Sequence, residues 1–401
     1  MDLNLIKRLA KPGDTKIVLL VLDGVGGVPL KKGGLTELET AHTPYLDEIA
    51  GESICGLHQP VGNGITPGSG PAHLALFGYD PVQYQVGRGV LAALGIDFDL
   101  RNSDVAARGN FCTLDEEGRV TDRRAGRISS EKNQELLKRL RCIDLPGAEL
   151  FLEVVKEYRF LLVLRGEGLA AAVGETDPHE EGKPPRIPEP LSPEAEHTAA
   201  LVYQFLEQAR EILADQHPAN MVLLRGFSQR PQWPQFPEVF GLRPAGIAAY
   251  PMYRGLATLV GMEVLKAGEN LQEPFMKLEK VWADFDFFFV HIKPTDSAGE
   301  DCDFDRKVRI IEEVDSLVPQ LLRLNPGVVV ITGDHSTPAK LSNHSWHPVP
   351  VLLWSRHCRA DGVDRFGERA CLNGGLGPRF PAVDLMPLAL ANAQRLEKFG
   401  A

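Results

Sequence analysis

Carboxylate and imidazole side chains that could bind a divalent metal ion recur after short apolar segments of this sequence. They are Asp23, Asp296, Glu300, Asp334, His335 and His344. Divalent first-row metals accept oxygen and nitrogen ligands of this kind. Glu300 follows Asp296 by four residues, so both carboxylates can face one point from a loop or a first helical turn. Each residue also has a structural interpretation, such as capping for Asp334, but together they predict a metal site.

A serine that could act as a nucleophile lies within residues 66–74. Glycines on both sides of Ser69 leave its hydroxyl unobstructed and free the backbone to bend. The segment is not a P-loop, because no Gly-Lys-Ser/Thr follows, and its spacing does not fit the GxSxG turn of hydrolases. A surface loop rich in proline and glycine is the alternative interpretation of the same residues.

Buried strands are needed to bring these distant residues together. Residues 16–22, 287–290 and 327–332 are continuous apolar runs, which is typical of strands buried on both faces. Apolar residues at helical spacing predict a helix over 308–321, which Pro319 should kink or shorten. Strands alternating with helices favour an α/β fold with a mostly parallel sheet. Because ligands gather at the carboxyl ends of such strands, the acidic loops are expected to meet there.

The middle of the chain has a different pattern. Residues 108–114 and 157–165 are predicted to be strands of a separate, mixed sheet. We therefore predict a smaller inserted α+β domain over 106–234, between the two parts of the core at 1–105 and 235–401. The length of 401 residues also favours two domains, or one domain with an insertion.

The composition disfavours several kinds of binding partner and cell location. A net charge of -11 provides no overall positive field for nucleic acid or an anionic membrane. No apolar stretch is long enough to span a membrane, and residues 1–8 do not resemble a signal peptide. The 6 cysteines lack a Cys-x-x-Cys pair and are expected to be reduced thiols. A cytoplasmic location is therefore the default expectation.

Several motifs, taken in chain order, carry a family resemblance. They are residues 21–24, 68–74, 295–296, 333–335, and His344 with 348–350, accompanied by 36–44, 77–81, 87–89 and 122–128. In this order they resemble the cofactor-independent phosphoglycerate mutases, in the archaeal-type branch of that family, within the alkaline phosphatase superfamily. The resemblance spans nearly the whole chain. It implies an alkaline-phosphatase-like core, with the mostly parallel sheet flanked by helices, and an inserted domain that caps the substrate.

The resemblance also implies a catalytic role for Ser69, which would be the nucleophile and become phosphoserine. It implies two divalent metal ions, one held by Asp23, Ser69, Asp334 and His335 and the other by Asp296, Glu300 and His344. The family usually has histidine at the position of Glu300. Because glutamate is a hard oxygen ligand, Mn²⁺ or Mg²⁺ is favoured here, with Zn²⁺ or Co²⁺ as alternatives. No 2,3-bisphosphoglycerate is required.

The implied reaction is the interconversion of 3-phosphoglycerate and 2-phosphoglycerate in glycolysis and gluconeogenesis. The candidate substrate-binding residues are Arg123, Arg124, Arg165, Asp177, His179, Arg225 and Arg254. Relatives tend to carry lysine where this chain has Arg254, which would keep the charge but not the geometry. The expected partner is therefore a small phosphoglycerate, with neither nucleic acid nor membrane, and the sequence indicates no oligomeric state.

Three other functions fit part of the sequence. The nearest is a phosphatase or another mutase of the same superfamily, such as a phosphopentomutase. A metal-binding or phosphosugar-binding protein without catalysis is suggested by Glu300 alone. An oxidoreductase with a dinucleotide fold is disfavoured, because Gly26 and Gly27 lack the GxGxxG spacing and the preceding strand ends in Asp23.

Overall fold

The computed structural model describes residues 2–268 and 270–400. The chain forms two compact units, of which the first contains the described residues of Met1–Gln85 and Trp233–Ala401 and the second contains Val86–Gln232. Each unit has its own hydrophobic core.

The strands, in chain order, are β1 (Ile17–Leu22), β2 (Ile54–Gln59), β3 (Val105–Leu114), β4 (Val120–Asp122), β5 (Glu149–Lys156), β6 (Arg159–Arg165), β7 (Met221–Ser228), β8 (Pro244–Ala248), β9 (Glu263–Lys266), β10 (Phe287–Ile292), β11 (Val328–Thr332), β12 (Val349–Ser355) and β13 (Gly377–Pro381). The α-helices are α1 (Leu3–Leu9), α2 (Glu37–Thr40), α3 (Pro44–Gly51), α4 (Ser69–Leu76), α5 (Arg88–Gly95), α6 (Ser130–Leu140), α7 (Glu196–Leu213), α8 (Phe236–Phe240), α9 (Pro251–Leu259), α10 (Gln272–Lys280), α11 (Pro294–Glu300), α12 (Phe304–Leu322), α13 (Glu368–Cys371) and α14 (Leu385–Asn392). Within the described ranges, no helix is both long and apolar enough for a membrane crossing.

The first unit is built on an eight-stranded, mostly parallel sheet in the order β13-β2-β12-β11-β1-β10-β8-β9. Parallel pairs join β11, β1, β10, β8 and β9 in turn, and β12 is antiparallel to both of its neighbours. Every residue of the central strands β1, β10 and β11 is buried. Burial on both faces explains why these strands are apolar throughout, and the predicted α/β fold is confirmed.

The register of the central strands determines where the acidic loops lie. Val21 on β1 is opposite His291 on β10 and Thr332 on β11. The three strands run in the same direction and therefore end at the same edge of the sheet. The loops after β1, β10 and β11 consequently begin side by side, as the sequence predicts.

The helix α12 differs from its predicted form near its end. It continues through Pro319 to Leu322, so the proline does not shorten it. Pro319 lies in the last turn, where few further helical hydrogen bonds remain to be lost. Val318 and Leu321, which flank the proline, are buried in the core of the first unit and keep this last turn in place.

The second unit contains an antiparallel sheet with the order β4-β3-β6-β5, in which β7 also pairs with β3. The predicted mixed sheet is wrong, because every pair formed by these strands is antiparallel. A two-residue turn between β5 and β6 is enough to reverse the chain, so no parallel crossover is needed. The helices α6 and α7 supply apolar residues to the core beside this sheet.

The second unit begins at Val86, earlier than the predicted boundary at 106. The reason is α5, which packs on β3, β6 and β7. Gly89 of this helix lies directly against the backbone of Ala106, where a Cβ atom would be only 2.0 Å from the carbonyl oxygen. The unit ends at Gln232, two residues before the predicted 234.

Candidate metal centre

The first candidate metal-binding group lies at the carboxyl edge of the central strands. Asp23 follows β1, and Asp334 and His335 follow β11; all three side chains are fully buried. Nε2 of His335 lies 3.4 Å from Oδ1 of Asp23 and 3.1 Å from Oδ2 of Asp334. One possible ligand atom from each residue lies within 4.8 Å of the others. These three residues, predicted from the sequence to share an ion, are therefore close enough to do so.

A second group of possible ligands adjoins the first. It consists of Asp296 on α11, His344 in the loop before β12, and again His335. Nε2 of His344 is 3.7 Å from Oδ1 of Asp296. The rings of His335 and His344 are stacked with their centroids 3.6 Å apart. The two groups therefore meet at His335, which the family resemblance assigns to one ion only.

Glu300 is placed beside the second group but is not one of its three members. It is the last residue of α11, and its side chain is exposed overall. Partial burial of its carboxyl group and the charge of Asp296 raise its pKa, whereas Lys293 and His344 act in the opposite direction. These influences place Glu300 within electrostatic reach of Asp296 and His344. Its role as a ligand stays a prediction.

The donor set fits a divalent cation. Oδ1 of Asp23 and Oδ2 of Asp334 are buried and accept no hydrogen bond from the described residues. Leaving such oxygens without a partner is costly, and a cation would satisfy both. Burial and the nearby charge of Asp23 raise the pKa of Asp334 to about 6. Burial would also raise the pKa of Asp23, but Lys293, His291 and His335 together outweigh burial, and the pKa is lowered.

Ser69 stands next to the first group. It is the first residue of α4, where Gly68 precedes the helix, and its side chain is half-buried. Its Oγ is 3.2 Å from Nε2 of His335. One turn later on the same helix, Nδ1 of His73 lies 2.9 Å from the Ser69 carbonyl oxygen and 3.1 Å from Oδ2 of Asp334. Nδ1 of His73 is therefore hydrogen-bonded to the start of the helix and lies close to the buried carboxylate without donating to it.

Four residues that the site prediction omitted also line this centre: His73, Tyr253, His291 and Lys293. The hydroxyl of Tyr253 donates to Oδ2 of Asp23, and burial raises its pKa well above the usual value, which keeps it a donor. The Tyr253 ring stacks on His291 at 3.8 Å between centroids. Lys293 lies with its ammonium 3.2 Å from Asp23 and also contacts Asp296.

In the second unit, four of the predicted substrate residues form one cluster around Asp177. Arg123 donates two hydrogen bonds to the Asp177 carboxylate, at 2.9 and 2.8 Å. Arg225 lies 3.4 Å from the same carboxylate and 3.3 Å from Nδ1 of His179. Burial alone would raise the pKa of Asp177, but its bonds from Arg123 and the His179 N–H lower it overall. Glu175, which was not predicted, joins the cluster 3.1 Å from His179 and 3.6 Å from Arg225.

The other three predicted substrate residues lie apart from this cluster. Arg165 donates two hydrogen bonds to the fully buried Asp104, at 2.9 and 2.7 Å, and stacks on Phe151. Arg124 directly follows Arg123 in the chain, but its side chain is exposed. Arg254 belongs to the first unit, on α9, and directly follows the Tyr253 that contacts Asp23.

The fold and the two metal-binding groups define the class of protein. It is an α/β protein with a candidate divalent-metal centre, flanked by a serine, at the carboxyl edge of a mostly parallel sheet. Residues 50–220 match the sequence profile of the family described as 2,3-bisphosphoglycerate-independent phosphoglycerate mutase. A protein of Thermus thermophilus described as a "probable 2,3-bisphosphoglycerate-independent phosphoglycerate mutase" is 51% identical over 407 residues and is matched over 100% of both chains. A protein of Aquifex aeolicus with the same description is 48% identical, again over 100% of both chains.

Solved structures agree with these sequence relatives. A Pyrococcus horikoshii protein superimposes with a TM-score of 0.83 at 32% identity, over 97% of this chain and 100% of the other. The cofactor-independent phosphoglycerate mutase of Thermoplasma acidophilum gives a TM-score of 0.67 at 30% identity, over 94% of this chain and 100% of the other. The chain therefore belongs to the 2,3-bisphosphoglycerate-independent phosphoglycerate mutase family of enzymes, and the family resemblance is confirmed.

Proposed function

We propose that this protein interconverts 3-phosphoglycerate and 2-phosphoglycerate through a phosphoserine at Ser69, beside a centre for two divalent metal ions. The observation that carries the proposal is the position of the Ser69 hydroxyl, 3.2 Å from the buried His335 that adjoins Asp23 and Asp334. The step would serve glycolysis and gluconeogenesis in the cytoplasm, and it would need no 2,3-bisphosphoglycerate.

In this proposal Asp23, Ser69, Asp334 and His335 hold one ion, and Asp296, Glu300 and His344 hold the other. When bound, such ions would lower the pKa of the serine hydroxyl and offset negative charge on the phosphoryl oxygens. Hard carboxylate oxygens contribute most of the donor set, so Mn²⁺ or Mg²⁺ is favoured over Zn²⁺ or Co²⁺.

The chain's own residues would act in two transfers. First, Oγ of Ser69 forms a bond to phosphorus as the bond from phosphorus to the 3-oxygen of the substrate breaks. The proton lost by Ser69 ends on that 3-oxygen, which leaves neutral hydroxyl groups on glycerate. Glycerate then turns, its 2-oxygen takes the phosphoryl group from Ser69, and the 2-hydroxyl proton returns to the serine. Atoms and charge balance over the pair of steps.

The arginines of the cluster around Asp177, in the second unit, are proposed to bind the carboxylate or phosphate of the substrate. Arg225 has a planar guanidinium suited to two parallel hydrogen bonds with such groups. Its closest carboxylate contacts, at 3.4 and 3.6 Å, are longer than the two bonds between Arg123 and Asp177, so its donors are less fully engaged. Arg123, Arg124, Arg165, Asp177, His179 and Arg254 are the other proposed substrate-binding residues. Holding glycerate during its turn would keep water from the phosphoserine.

A single assay tests the proposal against its alternatives. Protein treated with a chelator is incubated with 3-phosphoglycerate, without 2,3-bisphosphoglycerate, with and without added Mn²⁺, and the products are followed by ³¹P NMR. We expect 2-phosphoglycerate to form only with the metal, with little free phosphate. Mostly free phosphate would indicate a phosphatase. The same assay is repeated with ribose 1-phosphate as the substrate; its conversion to ribose 5-phosphate, with no turnover of phosphoglycerate, would indicate a phosphopentomutase.

A further inference from the structure

Thr337 touches both candidate metal-binding groups at once. It is fully buried two residues after His335. Its hydroxyl oxygen lies 2.6 Å from Oδ1 of Asp296 and 2.9 Å from Nδ1 of His335. Thr337 thus connects Asp296 of the second group with His335, which belongs to both groups.

The direction of these two hydrogen bonds follows from counting protons. The Asp296 carboxylate contacts the Lys293 ammonium, which has only donors to offer, so the carboxylate is the acceptor in that contact and in its contact with Thr337. The single hydroxyl proton of Thr337 must then go to Asp296, and the hydroxyl oxygen must accept from Nδ1–H of His335. A histidine binds a metal as the neutral imidazole, so a proton on Nδ1 leaves Nε2 as the ligand atom.

This arrangement fixes which nitrogen of His335 is available to a metal. With the proton on Nδ1, Nε2 presents a lone pair toward Oδ1 of Asp23, Oδ2 of Asp334 and Oγ of Ser69. The lone pair of this nitrogen and the two carboxylate oxygens converge on one point, and together they form the donor set of a cation site. The same hydroxyl group also orients Asp296, which belongs to the second metal-binding group.

Thr337 is itself held in place by the surrounding backbone and by a buried lysine. Its carbonyl oxygen accepts a 2.9 Å hydrogen bond from Nζ of Lys307, which also donates to Gly26 at 3.1 Å. Lys307 is fully buried on α12. A Cβ atom at Gly24 would be 2.6 Å from the Thr337 hydroxyl, and one at Gly299 would be 2.1 Å from its carbonyl oxygen. Only glycine at these two positions allows Thr337 to approach this closely.

We propose that Thr337 is a positioning residue that couples the two metal positions, by setting the tautomer of His335 and the orientation of Asp296 with one hydroxyl group. The proposal rests on the proposed two-metal function and deepens it. Groups that hydrogen-bond to metal ligands typically contribute about 10–100-fold in metal affinity. Removing the hydroxyl should therefore weaken Mn²⁺ binding at both positions.

The test compares Thr337→Val, which removes the hydroxyl at nearly constant shape, with Thr337→Ser, which keeps it. Mn²⁺ binding is measured by calorimetry and EPR, and the His335 ring is observed by ¹⁵N NMR of metal-free protein. We expect the valine variant to lose about tenfold or more in affinity for each ion. Its ¹⁵N shifts should show loss of the single Nδ1–H tautomer, and the serine variant should restore both properties. Thr113→Val, which removes a buried hydroxyl that donates to Pro218 in the second unit, should change neither.

The outcomes separate this inference from the proposed function. If the wild-type protein binds two Mn²⁺ ions and Thr337→Val binds them equally well with an unchanged His335 spectrum, the role of Thr337 is contradicted. If the wild-type protein binds no Mn²⁺ at all, the two-metal function itself is contradicted. The NMR measurement needs no metal and no activity, so a changed tautomer in the valine variant supports the hydrogen-bond direction in either case.

Discussion

The hydroxyl of Ser69 lies 3.2 Å from Nε2 of His335, although 266 positions separate the two residues in the sequence. The beginning of α4 and the loop after β11 create this contact. We expect Ser69→Ala to lose mutase activity by several orders of magnitude, because removal of a covalent nucleophile removes the whole pathway. Initial rates with 3-phosphoglycerate and Mn²⁺ measure this.

The control for that variant is Ser316→Ala on the exposed surface of α12, which should keep the wild-type rate. Near-normal activity of Ser69→Ala would show that the hydroxyl is not the nucleophile, whatever its contact with His335.

A change of metal preference is expected at Glu300. Glu300→His introduces the softer imidazole that the family usually has, so the ratio of Zn²⁺ to Mn²⁺ affinity should rise while activity is retained. Glu300→Ala should lose affinity for one ion and keep the ion at Asp23, Asp334 and His335. Metal content after dialysis, measured by plasma mass spectrometry, gives both results.

Asp301→Ala is the matched control for Glu300. Asp301 is the next carboxylate along the chain, but it pairs with Arg306 at 3.0 Å and is exposed. Its loss should leave metal content unchanged. If Asp301→Ala reduces the content and Glu300→Ala does not, the neighbour is the ligand and Glu300 is a solvated charge.

Arg225→Ala should raise the KM for 3-phosphoglycerate and increase the ratio of free phosphate to 2-phosphoglycerate. The charge-assisted hydrogen bonds proposed to hold glycerate would be missing, so water would reach the phosphoserine more often. Arg225→Lys keeps the charge without the planar fork and should give an intermediate ratio. Arg210→Ala, on the exposed face of α7, should behave as wild type; an unchanged KM and ratio in Arg225→Ala would exclude Arg225 from substrate binding.

Arg165→Ala should lower stability in addition to weakening substrate binding. It leaves the buried Asp104 carboxylate without its two strongest donors, and breaking a buried ion pair in this way costs about 3 kcal/mol in the free energy of unfolding. Arg119→Ala breaks a more exposed pair with Asp115, which solvent screens, and should cost much less. Urea unfolding measures the free energy of unfolding of both variants and of the wild-type protein. If both variants lose equally little free energy of unfolding, the pair between Arg165 and Asp104 contributes little to stability. Substrate binding would then be the main role of Arg165.

The part of the site that lies on strand ends could be predicted from the sequence. The apolar runs before Asp23 and Asp334 indicate buried parallel strands, and the geometry of such sheets brings their carboxyl ends together. The spacing of Asp296 and Glu300 predicted a loop or a first helical turn; Asp296 does lie in the first turn of α11, whereas Glu300 is the last residue of that helix. These predictions needed only local patterns and one general property of parallel sheets.

Residues that depend on long-range packing could not be predicted. Tyr253 reaches Asp23 from α9, 230 positions away, and no local pattern marks its hydroxyl as a partner. His73 did carry a signal, because it lies one helical turn after Ser69 and therefore on the same face. The predicted start of the second unit, at 106, lies after α5, because α5 belongs to that unit through its packing on β3, β6 and β7, which no local pattern reveals.

The most direct test of the central claim is to trap the phosphoryl group on the enzyme. Wild-type protein is mixed with Mn²⁺ and 3-phosphoglycerate, quenched in acid within the first turnovers, digested, and analysed by tandem mass spectrometry. The peptide that spans residues 66–74 should carry one phosphate on Ser69, and the phosphate should disappear when glycerate is added in excess before quenching. Phosphate found on another residue, or none found in an enzyme that is turning over, would contradict the proposed phosphoserine mechanism.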